Sequence, residues 1–182
     1  MTTGVRGVGV DIVDLGAFAA SLAEPGTRLT RAFSATERRQ CRERAESRGA
    51  RPGEATVSSS SGASGASAPG TSAPATSGPA PARREDPLAR HLAARWAAKE
   101  AVVKAWSAAL YGEPPPIAPD LLRWSEIETV CDNWGRPSVR LGGEVARQVA
   151  ATIGEGARWN VSLSHDGGSA IAFVVLEGPG VQ

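Results

Sequence analysis

The chain has almost no lysine. It carries only two, Lys99 and Lys104, against 18 arginines. Cysteine is as scarce: Cys41 and Cys131 stand far apart with no C-x-x-C spacing. That excludes a disulfide scaffold and a cysteine-based zinc site, and it suits a reducing cytosol. Neither sign of charge prevails, with 20 Lys+Arg against 19 Asp+Glu and a net charge of +1. Bulk nucleic-acid binding by charge is therefore not indicated. Long hydrophobic runs are missing too. The longest, Ala170 to Leu176, is far too short to span a bilayer. Near the start, Arg6, Asp11 and Asp14 fall where a secretory signal would need an apolar stretch.

What is abundant is confined to one tract. From Gly49 to Ala82, 31 of 34 residues are Gly, Ala, Ser, Pro or Thr. Such a segment cannot bury enough apolar surface to offset its ordering entropy, and it reads as a disordered insertion. The remaining 148 residues suffice for one core, since a domain of that size buries roughly 70% of its unfolded-chain surface. One domain over 1–182 with this insertion at 49–82 is expected. Loop closure costs rise only logarithmically with length, so the insertion is tolerable.

The flanking segments carry ordinary element signals. Val5 to Val13 reads as a strand. Asp14 is the plausible N-cap of a short helix with Leu15, Phe18 and Leu22 on its apolar face. Ser34-Ala-Thr-Glu37 is a capping box that opens a second, arginine-rich helix. Asp86 and Pro87 start a long helix that runs through Leu110. A hairpin follows, Ile127 to Cys131 and Ser138 to Leu141, then a helix over Val145 to Ile153. Two strands, Trp159 to Ser164 and Ala170 to Leu176, close the chain around Asp166-Gly167-Gly168. This order predicts an α+β fold, with a small mostly antiparallel sheet packed on one long helix.

The long helix holds ionisable residues in unusual places. At about 100° per residue, Leu92, Trp96, Val103, Trp106 and Leu110 share a stripe, and Lys99 lies inside it. Either its ammonium snorkels to water or it meets an anion. The gathering of both lysines on one helix favours the anion, for which phosphate is a natural class. Glu100 and Lys104 are one turn apart and make an ordinary surface pair. A helix-borne Glu100 with a strand-borne Asp11, beside cations, also describes a magnesium site. That reading requires the two acids to converge. His165, at the end of Val161-Ser-Leu-Ser-His165, is either a strand-end histidine bonded to a turn or a group for proton transfer or phosphate. Gly4, Gly7 and Gly9 do not form a dinucleotide fingerprint.

Taken in order, GVGVDIVDL, Phe33-Ser-Ala-Thr-Glu37, RWAAKEAVVKA from Arg95, Gly135-Arg136-Pro137 and VSLSH ending at His165 resemble the holo-[acyl-carrier-protein] synthase family of phosphopantetheinyl transferases. The heavy use of arginine and alanine suggests a high-GC, actinobacterial version. The resemblance implies transfer of 4′-phosphopantetheine from coenzyme A to a serine of apo-acyl carrier protein, with release of adenosine 3′,5′-bisphosphate. It implies Mg²⁺ on Asp11 and Glu100, coenzyme phosphates on Arg95, Lys99 and Lys104, the nucleotide near Gly135 and Pro137, and His165 close to the coenzyme. Glu100, His165, Asp166 or a metal-bound water are the alternatives for the base, with a water on the Glu100/Asp166 side preferred. A cytoplasmic homotrimer with sites between subunits is implied as well.

Two departures stand out. Where relatives often carry a basic residue in the first helix, this chain has Gly16-Ala17-Phe18, so carrier docking falls to Arg28, Arg31 and the second helix. The 49–82 tract is also atypical. Alternative readings are the same chemistry on polyketide or peptide synthase carrier domains, or a non-catalytic coenzyme-A-binding subunit.

Overall fold

The structure, a computed structural model, describes residues 4–49 and 86–179. All but the first residue of the low-complexity tract lies outside them. The described elements are β1 (Gly4–Asp14), α1 (Leu15–Ala23), α2 (Ala35–Gly49), α3 (Pro87–Ala109), β2 (Ile127–Cys131), β3 (Pro137–Leu141), α4 (Gly143–Thr152), β4 (Arg158–Asp166) and β5 (Ser169–Gly178). Short 3-10 turns occupy Leu29–Ala32 and Trp124–Glu126.

Local chemistry starts the helices where expected. Asp14 accepts from the Ala17 amide at 2.7 Å, and Asp86 accepts from the Leu88 amide at 2.9 Å. Pro87 occupies the first turn, where its missing N–H costs nothing. The capping box closes in both directions. The Glu37 amide donates to Ser34 Oγ at 3.1 Å, and the Ser34 amide donates to Glu37 Oε2 at 2.9 Å.

The strands form two antiparallel sheets rather than one. β1, β5 and β4 pair in that order, and β2 and β3 form a separate hairpin. α3 lies across one face of the larger sheet, against Gly7, Gly9 and Asp11 of β1 and Ala170, Ala172 and Val174 of β5. The approach is close. A Cβ on Gly7 or Gly9 would lie 2.0 or 1.9 Å from the carbonyl oxygen of Ala105 or Ala101. The β1 glycines therefore serve packing. Thirteen of the 23 residues of α3 are buried, so the helix has no single apolar stripe. Lys99 is enclosed with its neighbours and cannot snorkel. The opposite face of the sheet leaves Val8, Val10, Ile12, Ile171 and Phe173 exposed.

Candidate active site

Asp11 sits midway along β1, opposite Ala172, and faces α3 with 8% of its surface exposed. Lys104 Nζ donates to Asp11 Oδ1 at 2.7 Å and to the Val10 carbonyl at 3.1 Å. Glu100 lies one helical turn earlier, and its carboxyl interacts with the side chains of Asp11 and Trp96. Burial pushes the Glu100 carboxyl above its ordinary 4.5, and the adjoining Asp11 adds to the rise. Asp11 Oδ2 is buried without a hydrogen-bond partner. The sheet thus delivers one acid and the helix the other to a single spot. Two oxygen donors with an unsatisfied lone-pair site fit a hard divalent cation that keeps waters and substrate oxygens in its shell. Among the described residues no group of three or more His, Cys, Asp or Glu side chains forms a metal cluster.

Lys99 corrects the sequence reading. Its anion is Glu37, not a phosphate. The ammonium and the carboxylate are both fully buried, with Nζ 2.8 Å from Glu37 Oε2. Nζ also donates to the backbone carbonyls of Trp124 and Ile127. All three ammonium protons are engaged, leaving none for coenzyme. Burial lowers the Lys99 pKa from 10.5, and Glu37 opposes that fall.

Arg95 lies on the α2 and hairpin side of α3, apart from Asp11. It is 3% exposed, and its Nη2 donates to Cys131 Sγ at 3.2 Å. Cys131 pairs across the hairpin with Pro137. In the turn between them, Asp132 Oδ1 accepts from the amides of Trp134 and Arg136, both at 2.9 Å. Gly135 holds φ at +88°, a left-handed conformation that favours glycine, with Arg44 Nη2 packed above it. Arg95, Gly135 and Pro137 therefore share one neighbourhood.

His165 forms a third locus. Its Nδ1 lies 2.7 Å from Arg90 Nη2. A guanidinium only donates, so Nδ1 accepts and the ring proton sits on Nε2. His165 pairs with Ala170, while Asp11 pairs with Ala172. The two share a sheet face, separated by two strand spacings and two residues, roughly 12 Å between Cα atoms. Asp166, next along β4, is exposed and lines a small cavity with Leu15, Arg90 and Gly168. Within one chain, neither His165 nor Asp166 joins the Asp11–Glu100 pair.

Three contributors escaped the sequence reading. Glu37 announced itself only as a helix cap. Arg90 was not singled out. Trp96 was assigned to the core, yet its ring lies tilted against Trp124, centroids 4.8 Å apart, and its side chain reaches Glu100. Beyond Trp124, a cavity of about 420 Å³ opens beside Val103, Trp106, Leu110 and Ile117, one turn from Glu100 and Lys104.

The fold has known counterparts. Residues 73–174 match the model of the 4′-phosphopantetheinyl transferase superfamily. Holo-[acyl-carrier-protein] synthase of Corynebacterium glutamicum is 38% identical over 93% of this chain and 96% of its own. The enzyme of that name from Mycobacterium tuberculosis is 37% identical over 97% of this chain and 99% of its own. The solved ACPS–CoA complex of Chronobacterium ammoniagenes superposes with a TM-score of 0.70 at 34% identity, covering 98% of this chain and 99% of that one. The chain belongs to the 4′-phosphopantetheinyl transferase superfamily. Within it, the chain is a transferase of the holo-[acyl-carrier-protein] synthase type. These relatives favour neither the synthase-carrier nor the binding-only alternative.

Proposed function

We propose that Asp11 and Glu100 hold the Mg²⁺ ion at which this enzyme receives the diphosphate of coenzyme A. The reaction is transfer of the 4′-phosphopantetheine arm to a serine of apo-acyl carrier protein, leaving adenosine 3′,5′-bisphosphate. The observation that carries the metal assignment is the buried, unpartnered Asp11 Oδ2 beside the Glu100 carboxyl. When bound, the ion offsets diphosphate charge as the serine oxygen attacks the β-phosphorus.

The chain's own groups supply the rest. Lys104, half-exposed above Asp11, orients that carboxylate and offers a cation to the diphosphate. Trp96 braces Glu100 from the other side. The 420 Å³ cavity suits the arm, whose methyl groups prefer its apolar lining. Arg95, Gly135 and Pro137 receive the nucleotide end. His165, with its proton on Nε2, acts as a donor to phosphate rather than as the base. The serine proton passes to a water oriented by Glu100.

The dispersal of these loci over one chain supports a homotrimer in which a neighbour completes each site. The exposed Val8, Val10, Ile12, Ile171 and Phe173 supply the apolar face such an assembly would cover. Arg28, Arg31, Arg39 and Arg42 are exposed and suit an acidic carrier. The cytosol, where carrier and coenzyme meet, is the place of action. Among the described residues no helix is long and apolar enough to cross a membrane.

The test is mass spectrometry of apo-acyl carrier protein incubated with coenzyme A and Mg²⁺, alongside calorimetric Mn²⁺ titration. Asp11→Asn and Glu100→Gln should each abolish phosphopantetheine transfer and weaken Mn²⁺ binding. Unchanged Mn²⁺ affinity in both variants would remove the metal assignment.

A further inference from the structure

We propose that Cys131 is a modification site: a nucleophilic thiol, faced by the buried Arg95 guanidinium, that exchanges with small disulfides. Three observations converge on it. Arg95 is 97% withdrawn from solvent, its Nη2 rests 3.2 Å from Cys131 Sγ, and its Nε is buried with no partner. Among the described residues no carboxylate forms an ion pair with this guanidinium. A buried cation needs an anionic or strongly accepting neighbour, and the sulfur is the group it touches. Cys131 is only partly buried, whereas Cys41 is fully enclosed. Reactive cysteines occupy this combination of positive charge and partial access. The backbone that carries the thiol is held in place as well. The Cys131 amide donates to Gln40 Oε1 at 3.0 Å, and its carbonyl accepts from Gln40 Nε2 at 2.9 Å.

Cys41 provides a contrast. Arg95 acts on that thiol too, but burial outweighs it and pushes the Cys41 thiol above the ordinary 9.0.

The step balances without a further oxidant. The Cys131 proton passes to solvent, and the sulfur attacks one sulfur of a small disulfide. The new protein–S–S bond forms as the original S–S bond breaks, and the other half departs as a thiolate with the bonding electrons. The consequence rests on the functional reading above. An added group at Cys131 lies between Arg95 and the Pro137 side of the hairpin, where that reading seats the coenzyme's nucleotide. Modification is therefore expected to raise KM for coenzyme A, reversibly with dithiothreitol, and Cys131→Ser should lose that sensitivity.

The test uses dithiodipyridine, whose released thiopyridone absorbs in the near ultraviolet, on the full native chain. One thiol per chain should react rapidly, and peptide mass spectrometry should place it at Cys131. It should react faster than the same cysteine in the denatured chain. Arg95→Met should slow the native reaction about tenfold. If that variant melts early, the comparison of native with denatured wild type decides alone. A native Cys131 that reacts no faster than the denatured thiol overturns the proposal. Adenosine 3′,5′-bisphosphate should protect the thiol. Fast reaction without protection upholds the thiol site and removes the nucleotide from the hairpin, so the two readings fail separately.

Discussion

Lys99 and Glu37 meet at 2.8 Å in the interior, 62 residues apart in sequence and both shut off from solvent. The pair ties three elements together. Glu37 also accepts from the Thr129 amide of β2, while Lys99 donates to the carbonyls of Ile127, at the start of that strand, and of Trp124, in the turn before it. Lys99→Met would strand a carboxylate in the core. The expected loss is about 3 to 5 kcal/mol by urea denaturation. Adding Glu37→Met should restore part of it, because no charge then remains unpaired. A single-variant loss below about 1 kcal/mol would mean water reaches the carboxylate.

Gly9 tests the closeness of helix and sheet. A methyl group there would lie 1.9 Å from the Ala101 carbonyl oxygen, and backbone is the obstacle. Gly9→Ala should destabilise by about 3 kcal/mol or more, read from thermal or chemical melting. At Gly4 a Cβ meets nothing within 4 Å, and Gly4→Ala should stay within about 0.5 kcal/mol of the parent. Equal effects at the two positions would show that α3 does not sit where the structure puts it.

Glu100 links stability to pH. Its folded pKa is raised above the ordinary 4.5, first by burial and then by Asp11. Below 4.5 the carboxyl is protonated in both states and carries no penalty. As pH rises through the folded value, the folded chain must hold a charge in an unfavourable place, and stability falls. Glu100→Gln should therefore raise the melting temperature at about pH 7 in the presence of chelator, and give no gain at about pH 4. The same variant should be inactive. A lower melting temperature at neutral pH would show that the ionised form is the better accommodated one.

Much of this was legible in sequence because it is local. Asp14, Ser34 and Asp86 cap helices through contacts spanning two or three residues, and such contacts are written in residue order. The meeting of Asp11 with Glu100 was stated as a requirement, and the β1–α3 packing delivers it. Lys99 was misread because its partner came from α2, on the far side of the low-complexity tract. A capping glutamate gives no sign that one oxygen also binds a buried lysine. Likewise, an all-round buried helix rich in alanine blurs the periodicity on which a stripe depends. The β2–β3 hairpin was read from sequence, but not that it stands apart from the larger sheet, because strand order does not state which hairpins share a sheet.

The exposed apolar face of the large sheet yields a last expectation. Val10 pairs with Phe173 and Ile12 with Ile171 across β1 and β5, so four large side chains form one continuous patch on neighbouring strands. A patch of this kind, on the face opposite α3, carries a solvation cost unless another surface covers it. Phe173→Glu places a carboxylate at its centre without touching the α3 face, because side chains alternate along a strand. The wild-type chain should run as a trimer by light scattering and Phe173→Glu as a monomer with unchanged circular dichroism. If sites are completed between subunits, transfer activity should fall with the assembly. An active monomeric variant would place every required group in one chain, and then the roughly 12 Å from Asp11 to His165 would have to be bridged by the coenzyme alone.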